Sequence, residues 1–132
     1  MLLKSCKLSK NGATMHILRA SDINEAKSLA KDALDNHLYV VGWTLQQMYE
    51  AIRESADELQ IAVAYNDEGK PVGCAVVDDF SGCVEIFVKK NHRRQGIGRA
   101  LVNVFKEIDS EIYGHYRGAK NAELFFESCG IL

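Results

Sequence analysis

Proline occurs once in 132 residues and cysteine four times, and what these residues fail to form narrows the fold before any pattern is read. Cys6, Cys74, Cys83 and Cys129 contain no Cys-x-x-Cys pair, so a zinc ribbon or dithiol redox motif has no ligand spacing, and reduced, mostly buried thiols are expected. With glycine at only ten positions and no repeat, collagen-like, low-complexity and wholly disordered classes are excluded by composition. No apolar run approaches the ~20 residues that span a bilayer, and no charged-then-apolar leader opens the chain. No membrane partner is expected, and the cytoplasm is the expected compartment. What is present is 47% apolar and 26% charged side chains, enough at this length for one core and one domain.

Acid is missing from one stretch in particular. Between Ile86 and Lys106 the chain carries Lys89, Lys90, Arg93, Arg94, Arg99 and Lys106 without a single Asp or Glu, leaving ten basic against eighteen acidic residues elsewhere. Cation gathered in one place on a slightly acidic domain, with a pI near 6.1, points to a small polyanion. A nucleic-acid binder is more usually basic over a whole face or domain, so no nucleic-acid partner is expected.

The first thirteen residues read as an N-terminal extension or extra strand. Ser9 to Gly12 is a turn signal, and Leu2 to Leu8 either pairs with Thr14 to Arg19 as a hairpin or is a loose tail. A domain is expected over 14–132. A short strand at His16 to Arg19 leads to a helix start where Asp22 and Glu25 have capping-box spacing, and Ile23, Ala26, Leu29, Ala30, Ala33 and Leu34 then form one apolar face. His37 to Trp43 interrupts this pattern. A second capping box, Thr44 to Gln47, opens a helix carrying Leu45, Met48, Ile52 and Ala56. The period then changes to two, with strands expected at Gln60 to Tyr65, Val72 to Val77 and Cys83 to Val88 joined by short turn-rich connectors, an antiparallel meander. After a basic loop, a helix from about Gly98 presents Leu101, Val104, Phe105, Ile108 and Ile112. Tyr113 to Arg117 reads as a short strand, and Ala119 to Ser128 as a last helix closed by Gly130.

Strand, loop and helix around Arg93-Arg94-Gln95-Gly96-Ile97-Gly98 make a particular arrangement of backbone donors. Gly96 and Gly98 allow a tight turn and close approach of a ligand, while the first N–H groups of the helix have no intrahelical acceptor. Those N–H groups and the aligned peptide dipoles attract phosphate, and neighbouring Lys and Arg add charge. A Walker-type phosphate loop is excluded because no Gly-Lys-Ser/Thr follows, and the third glycine of a dinucleotide fingerprint is replaced by Leu101.

At these residues the chain resembles the GCN5-related N-acetyltransferases, the GNAT family. Their signature, Arg/Gln-x-x-Gly-x-Gly/Ala following a strand that ends in Val and four further residues, appears as Val88 followed by Arg93 to Gly98. Their late motif, Ala-x-x-x-Tyr-x-x-x-Gly-Phe, is represented by Ala122, Phe126, Gly130 and Ile131. The resemblance implies an α+β fold, a mixed and mainly antiparallel sheet with helices on both faces. It implies acetyl-CoA as co-substrate and no metal, with the diphosphate on the N–H groups of Arg94 to Arg99. The pantetheine arm would run along Phe87, Val88 and Lys89, and a backbone N–H near Val88 would meet the thioester oxygen. Cofactor contacts are therefore expected at Phe87, Val88, Lys89, Arg93, Arg94, Gln95, Gly96, Ile97, Gly98 and Arg99.

Transfer to an amine needs a base. Glu85 is the acid on the strand that feeds the loop, and it shares a face with Cys83 and Phe87 while Val84, Ile86 and Val88 project oppositely. A solvent-facing strand carboxylate is the competing reading, and Asp78-Asp79 reads first as a turn. Where the family has a Tyr to protonate the leaving thiolate, this chain has Phe126, and where it often has a cofactor-contacting Asn, it has Ala119. Tyr116 is the expected substitute acid, with Tyr113 or water as alternatives. Family members normally continue past this point into two further strands, so Leu2 to Leu8 or a strand from a second copy in a homodimer is expected to cover the resulting edge. His37 to Trp43, with Tyr39 and Trp43, is expected to wall the acceptor site. His16, His37 and His115 have no metal-ligand spacing, and no Ser-His-Asp or catalytic Cys set supports a covalent acyl-enzyme. The expected activity is acetyl transfer from acetyl-CoA to a primary amine of a small molecule or protein, the alternative being a weak or inactive coenzyme A binding or sensor module.

Overall fold

A computed structural model describes residues 2–7, 14–38, 59–78, 82–107, 111–114 and 120–131. The elements are β1 (Leu2–Lys7), β2 (Thr14–Arg19), α1 (Ile23–Asp35), β3 (Leu59–Tyr65), β4 (Pro71–Asp78), β5 (Cys83–Val88), a 3₁₀ turn (Lys90–His92), α2 (Ile97–Lys106), β6 (Tyr113–Gly114) and α3 (Lys120–Ser128). Among the described residues the six strands form one sheet in the order β1-β2-β3-β4-β5-β6. Every pairing is antiparallel except the last, in which Cys83 lies beside Tyr113 and Val84 beside Gly114 in parallel.

Period-two alternation sends the apolar residues of β3 and β4 to two cores, one on each face of the sheet. On one face Ala26, Leu29, Ala30 and Ala33 of α1 pack over Ile61, Val63, Cys74 and Val76. On the other, Ile97, Leu101, Val104 and Phe105 of α2 and Phe126 of α3 pack over Ala62, Ala64, Ala75, Val77, Val84 and Ile86. Helix α1 begins where expected, the Asp22 side chain accepting the Glu25 N–H at 2.9 Å. It ends at Asp35 with Asn36 as its cap, and the left-handed His37 (φ 58°) then turns the chain so that the Leu38 N–H returns to the Ala33 carbonyl at 2.9 Å. The Tyr65 hydroxyl donates to Asp32 Oδ2 at 2.7 Å and ties α1 to β3. Gly73 lets α2 settle on β4, because a Cβ there would stand 3.1 Å from Ile97 Cγ2 and 3.2 Å from Leu101 Cδ1.

Three expectations need correction. The helix expected to carry Ile112 ends at Lys106; Ile112 is buried beyond it, because the chain must turn to bring the Tyr113 N–H to the Gly82 carbonyl at 3.0 Å. The N-terminal run does pair with Thr14–Arg19, Leu2 opposite Arg19 and Lys7 opposite Thr14. That places it at the edge away from β6, so it does not cover the edge it was expected to cover. Glu85, read alternatively as a solvent-facing carboxylate, is buried at 8% exposure. The helix expected after Thr44, the apolar wall with Tyr39 and Trp43, and residues 115–119 lie outside the described residues. No helix among the described residues is long and apolar enough to cross a membrane.

Candidate functional site

The site is built where β5 stops and α2 starts. The Lys89 N–H donates to the Val72 carbonyl at 2.9 Å, with Val88 opposite Gly73. In an antiparallel ladder successive residues turn their backbone groups alternately toward and away from one neighbour. Lys89 and Phe87 therefore face β4, and the Val88 N–H and carbonyl face the other side, the side on which β6 pairs with the start of β5. The Val88 carbonyl receives Arg93 Nε at 2.8 Å, and the Arg93 guanidinium lies 5.5 Å from the centroid of the Phe87 ring.

After the 3₁₀ turn the backbone reverses through two left-handed residues, Arg94 (φ 62°) and Gly96 (φ 93°). Gly96 is the N-cap of α2, and its carbonyl accepts the first helical bond, from the Ala100 N–H at 3.0 Å. The N–H groups of Ile97, Gly98 and Arg99 precede that bond and have no acceptor within the helix. A Cβ built on Gly96 meets nothing within 4 Å, so the space above the turn is open to a ligand. Ile97, 1% exposed, holds the first turn against the core while Gln95 is half-buried and Arg94 exposed.

Gly98 is different. Its missing Cβ is replaced by the Phe125 ring, with Cζ 3.0 Å and Cε1 3.1 Å from where a Cβ would stand; Gly98 is a packing glycine and contributes its N–H, not room for a ligand. The basic stretch likewise divides. Arg99 donates to the Ser128 carbonyl at 2.9 Å and to Ser128 Oγ at 3.1 Å, and Lys106 Nζ donates to the Cys129 carbonyl at 2.7 Å. Both cations thus sit at the carbonyl end of α3, where helix geometry favours them. Arg99 was expected at the cofactor through its N–H, and its side chain is turned to Ser128. The side chains of Lys89, Lys90 and Arg94 make no hydrogen bond or ion pair among the described residues and supply the local positive charge.

Glu85 is the buried charged residue of β5, opposite Val76 on the α1 face of the sheet. Phe126 is 2% exposed, and its ring covers Gly114 on the opposite face, with Cγ only 2.1 Å from where a Cβ would be. No hydroxyl is present there to protonate a thiolate. Tyr113 is level with Cys83, five residues and therefore roughly 16 Å along β5 from Val88, too far to serve instead. Tyr116 and Ala119 lie outside the described residues. Complete burial pushes the Cys74 thiol up to about 12, and burial also raises that of Cys129, so neither offers a thiolate nucleophile near neutral pH. Among the described residues no group of three His, Cys, Asp or Glu could hold a metal ion. The Phe125 contact and the Arg99 and Arg93 bonds had no signal in the sequence, since each depends on where distant carbonyls and rings come to lie.

Residues 57–130 match the family model of the acetyltransferase (GNAT) domain, more than half of the chain. The chain belongs to the GNAT acetyltransferase family. No curated protein matches it. Among solved structures it is similar to the aminoglycoside N-acetyltransferase AAC(6')-Iy in complex with CoA, at 18% identity and a TM-score of 0.64, covering 95% of this chain and 92% of the other. It is also similar to AAC(6')-Ih from Acinetobacter baumannii, at 18% identity and a TM-score of 0.58 over 89% and 90% of the two chains. A ribosomal-protein-alanine N-acetyltransferase from Brucella melitensis biovar Abortus 2308 follows at 18% and 0.54 over 86% and 89%. At these identities the likeness is one of fold, a mainly antiparallel sheet whose last pairing is parallel.

Proposed function

We propose that this GNAT domain transfers the acetyl group of acetyl-CoA to a primary amine by direct attack. The observation that carries the reading is the turn at Gly96, a left-handed glycine with open space above it, capping a helix whose first three N–H groups have no intrahelical acceptor and following a loop that carries Lys89, Lys90 and Arg94. That arrangement fits a diphosphate by both hydrogen bonding and charge. The pantetheine arm extends along the side of Val88 that faces away from β4, and the Val88 N–H donates to the thioester oxygen as it gains charge. The amine nitrogen forms a bond to the carbonyl carbon, the carbon–sulfur bond breaks, and the thiolate takes a proton from water, Phe126 having none to give. Glu85 stands three residues, about 10 Å, along the strand from Val88, and accepts the amine proton through water.

A small-molecule or protein amine is the acceptor class. The neighbours support both kinds, aminoglycosides in two and a ribosomal-protein alanine in the third. Phe126 also favours a second reading, a coenzyme A binding module of low activity, and turnover of acetyl-CoA against a panel of amines separates the two. Gly96→Glu tests the cofactor site itself. A carboxylate directed into the space above the turn adds bulk and like charge, so calorimetry should show coenzyme A binding abolished; unchanged affinity would remove the assignment.

A further inference from the structure

An exposed arginine beside an anion site ordinarily reaches for the anion. Arg93 does not. Its side chain is folded back onto the last two residues of β5, with Nε on the Val88 carbonyl at 2.8 Å and the guanidinium 5.5 Å from the centroid of the Phe87 ring. Phe87 packs with the α1 core, so the guanidinium is drawn toward that face of the sheet, while α2 and its N–H groups rise from the opposite face. The Val88 carbonyl and the Lys89 N–H belong to one peptide, and that N–H donates to the Val72 carbonyl at 2.9 Å. The bonds therefore run in series, Arg93 to Val88, through the peptide, and on to Val72, each polarising the next.

Resting on the acetyl-CoA reading above, we propose that Arg93 is a positioning residue that clips the cofactor loop to the end of β5 and fixes the Val88 backbone for the thioester, and that it is not a phosphate ligand. The donor that matters is Nε, four bonds from Cα. Glutamine carries an N–H donor, Nε2, at the same four bonds, and the signature motif admits Arg or Gln at this position. Methionine places a carbon there and donates nothing. The two substitutions therefore separate the clip from the charge.

The experiment compares wild type, Arg93→Met and Arg93→Gln with two thioesters, acetyl-CoA and S-acetylpantetheine, the second lacking the diphosphate. The expected result is that Arg93→Met loses about tenfold in kcat with both thioesters, the scale of one charge-assisted hydrogen bond. Arg93→Gln should recover most of that loss with both, and the thermal midpoints of the two variants should coincide. A phosphate ligand gives the opposite pattern, KM raised for acetyl-CoA alone and equally in Met and Gln, and that result overturns the proposal. Wild-type kcat in Arg93→Met overturns it too. If the wild type turns over neither thioester, the acetyl-CoA reading itself fails and the clip's role with it, a failure visible before any variant is compared.

Discussion

Glu85 and Cys74 lie on the same face of adjacent strands, both out of water, and burial gives the two side chains opposite parts. Glu85→Gln preserves shape and removes the proton acceptor. If Glu85 is the base, steady-state turnover at saturating acetyl-CoA should fall by ~10² to ~10⁴ with little change in coenzyme A affinity; rates equal to wild type across the pH range would reduce it to a buried strand residue. Cys74 instead governs stability at alkaline pH. Its thiol ionises from 9.0 in the unfolded chain, whereas complete burial holds the folded one protonated to about 12. Between those values the folded state binds more protons, so this contribution is full below about pH 9 and declines as pH rises. Tyr65 has the same sign, raised from its ordinary 10.0 first by burial and then by its hydrogen bond to Asp32. The thermal midpoint should therefore fall between about pH 9 and 11, and Cys74→Ala should show a shallower fall than wild type. A midpoint that rises with pH over that range would contradict the assignment.

At the level of elements, α3 is the part whose placement depends most on its partners. Arg99 and Lys106 of α2 hold its carbonyl end, Phe125 covers Gly98 and Phe126 covers Gly114, with the two rings edge to face at 5.3 Å. The two glycines differ in tolerance. A methyl at Gly98 meets the rim of a ring at 3.0 Å, which a shift of a few tenths of an ångström relieves, whereas one at Gly114 falls 2.1 Å from the ring carbon of Phe126. Gly114→Ala should cost about 3 kcal/mol and Gly98→Ala about 1 kcal/mol or less by chemical denaturation, the scale of overpacking in a dense core; equal costs would mean that α3 moves freely over both. The same contrast marks what a single chain of letters reveals. The capping box at Asp22, the bounds Cys83–Val88 and the turn before α2 are local and could be read from spacing. Where the apolar period ran on to Ile112, the helix stopped at Lys106 because β6 had to reach Cys83, a demand set by the sheet. Which glycine faces a ring and which faces open space, and which arginine is tethered 29 residues away at Ser128, follow only from packing.

Across the whole molecule the sheet order sets β1 and the cofactor loop at opposite sides of the core. Four strand spacings of about 4.8 Å separate β1 from β5, roughly 19 Å, so β1 stands well away from the turn at Gly96. Its sequence carries Lys4 and Lys7 at the edge of the sheet, charges of the kind that discourage pairing with another chain. Behind it, β2 pairs with β3 and sends Met15 and Ile17 into the core. Deleting residues 1–10 would leave β2 as the edge, with its six pairings to β1 lost and its outer backbone groups exposed as a template. The truncated protein should melt roughly 5 to 10 °C lower, as expected for the loss of one to two kcal/mol in a domain of this size. It should also self-associate in sedimentation at concentrations where the full chain does not, while its coenzyme A affinity by calorimetry stays within about twofold, a difference under 0.5 kcal/mol. Loss of affinity on truncation would show that the two edges of the sheet are coupled through the core; an unchanged midpoint and sedimentation mass would show that the β1 pairing contributes nothing to holding the fold.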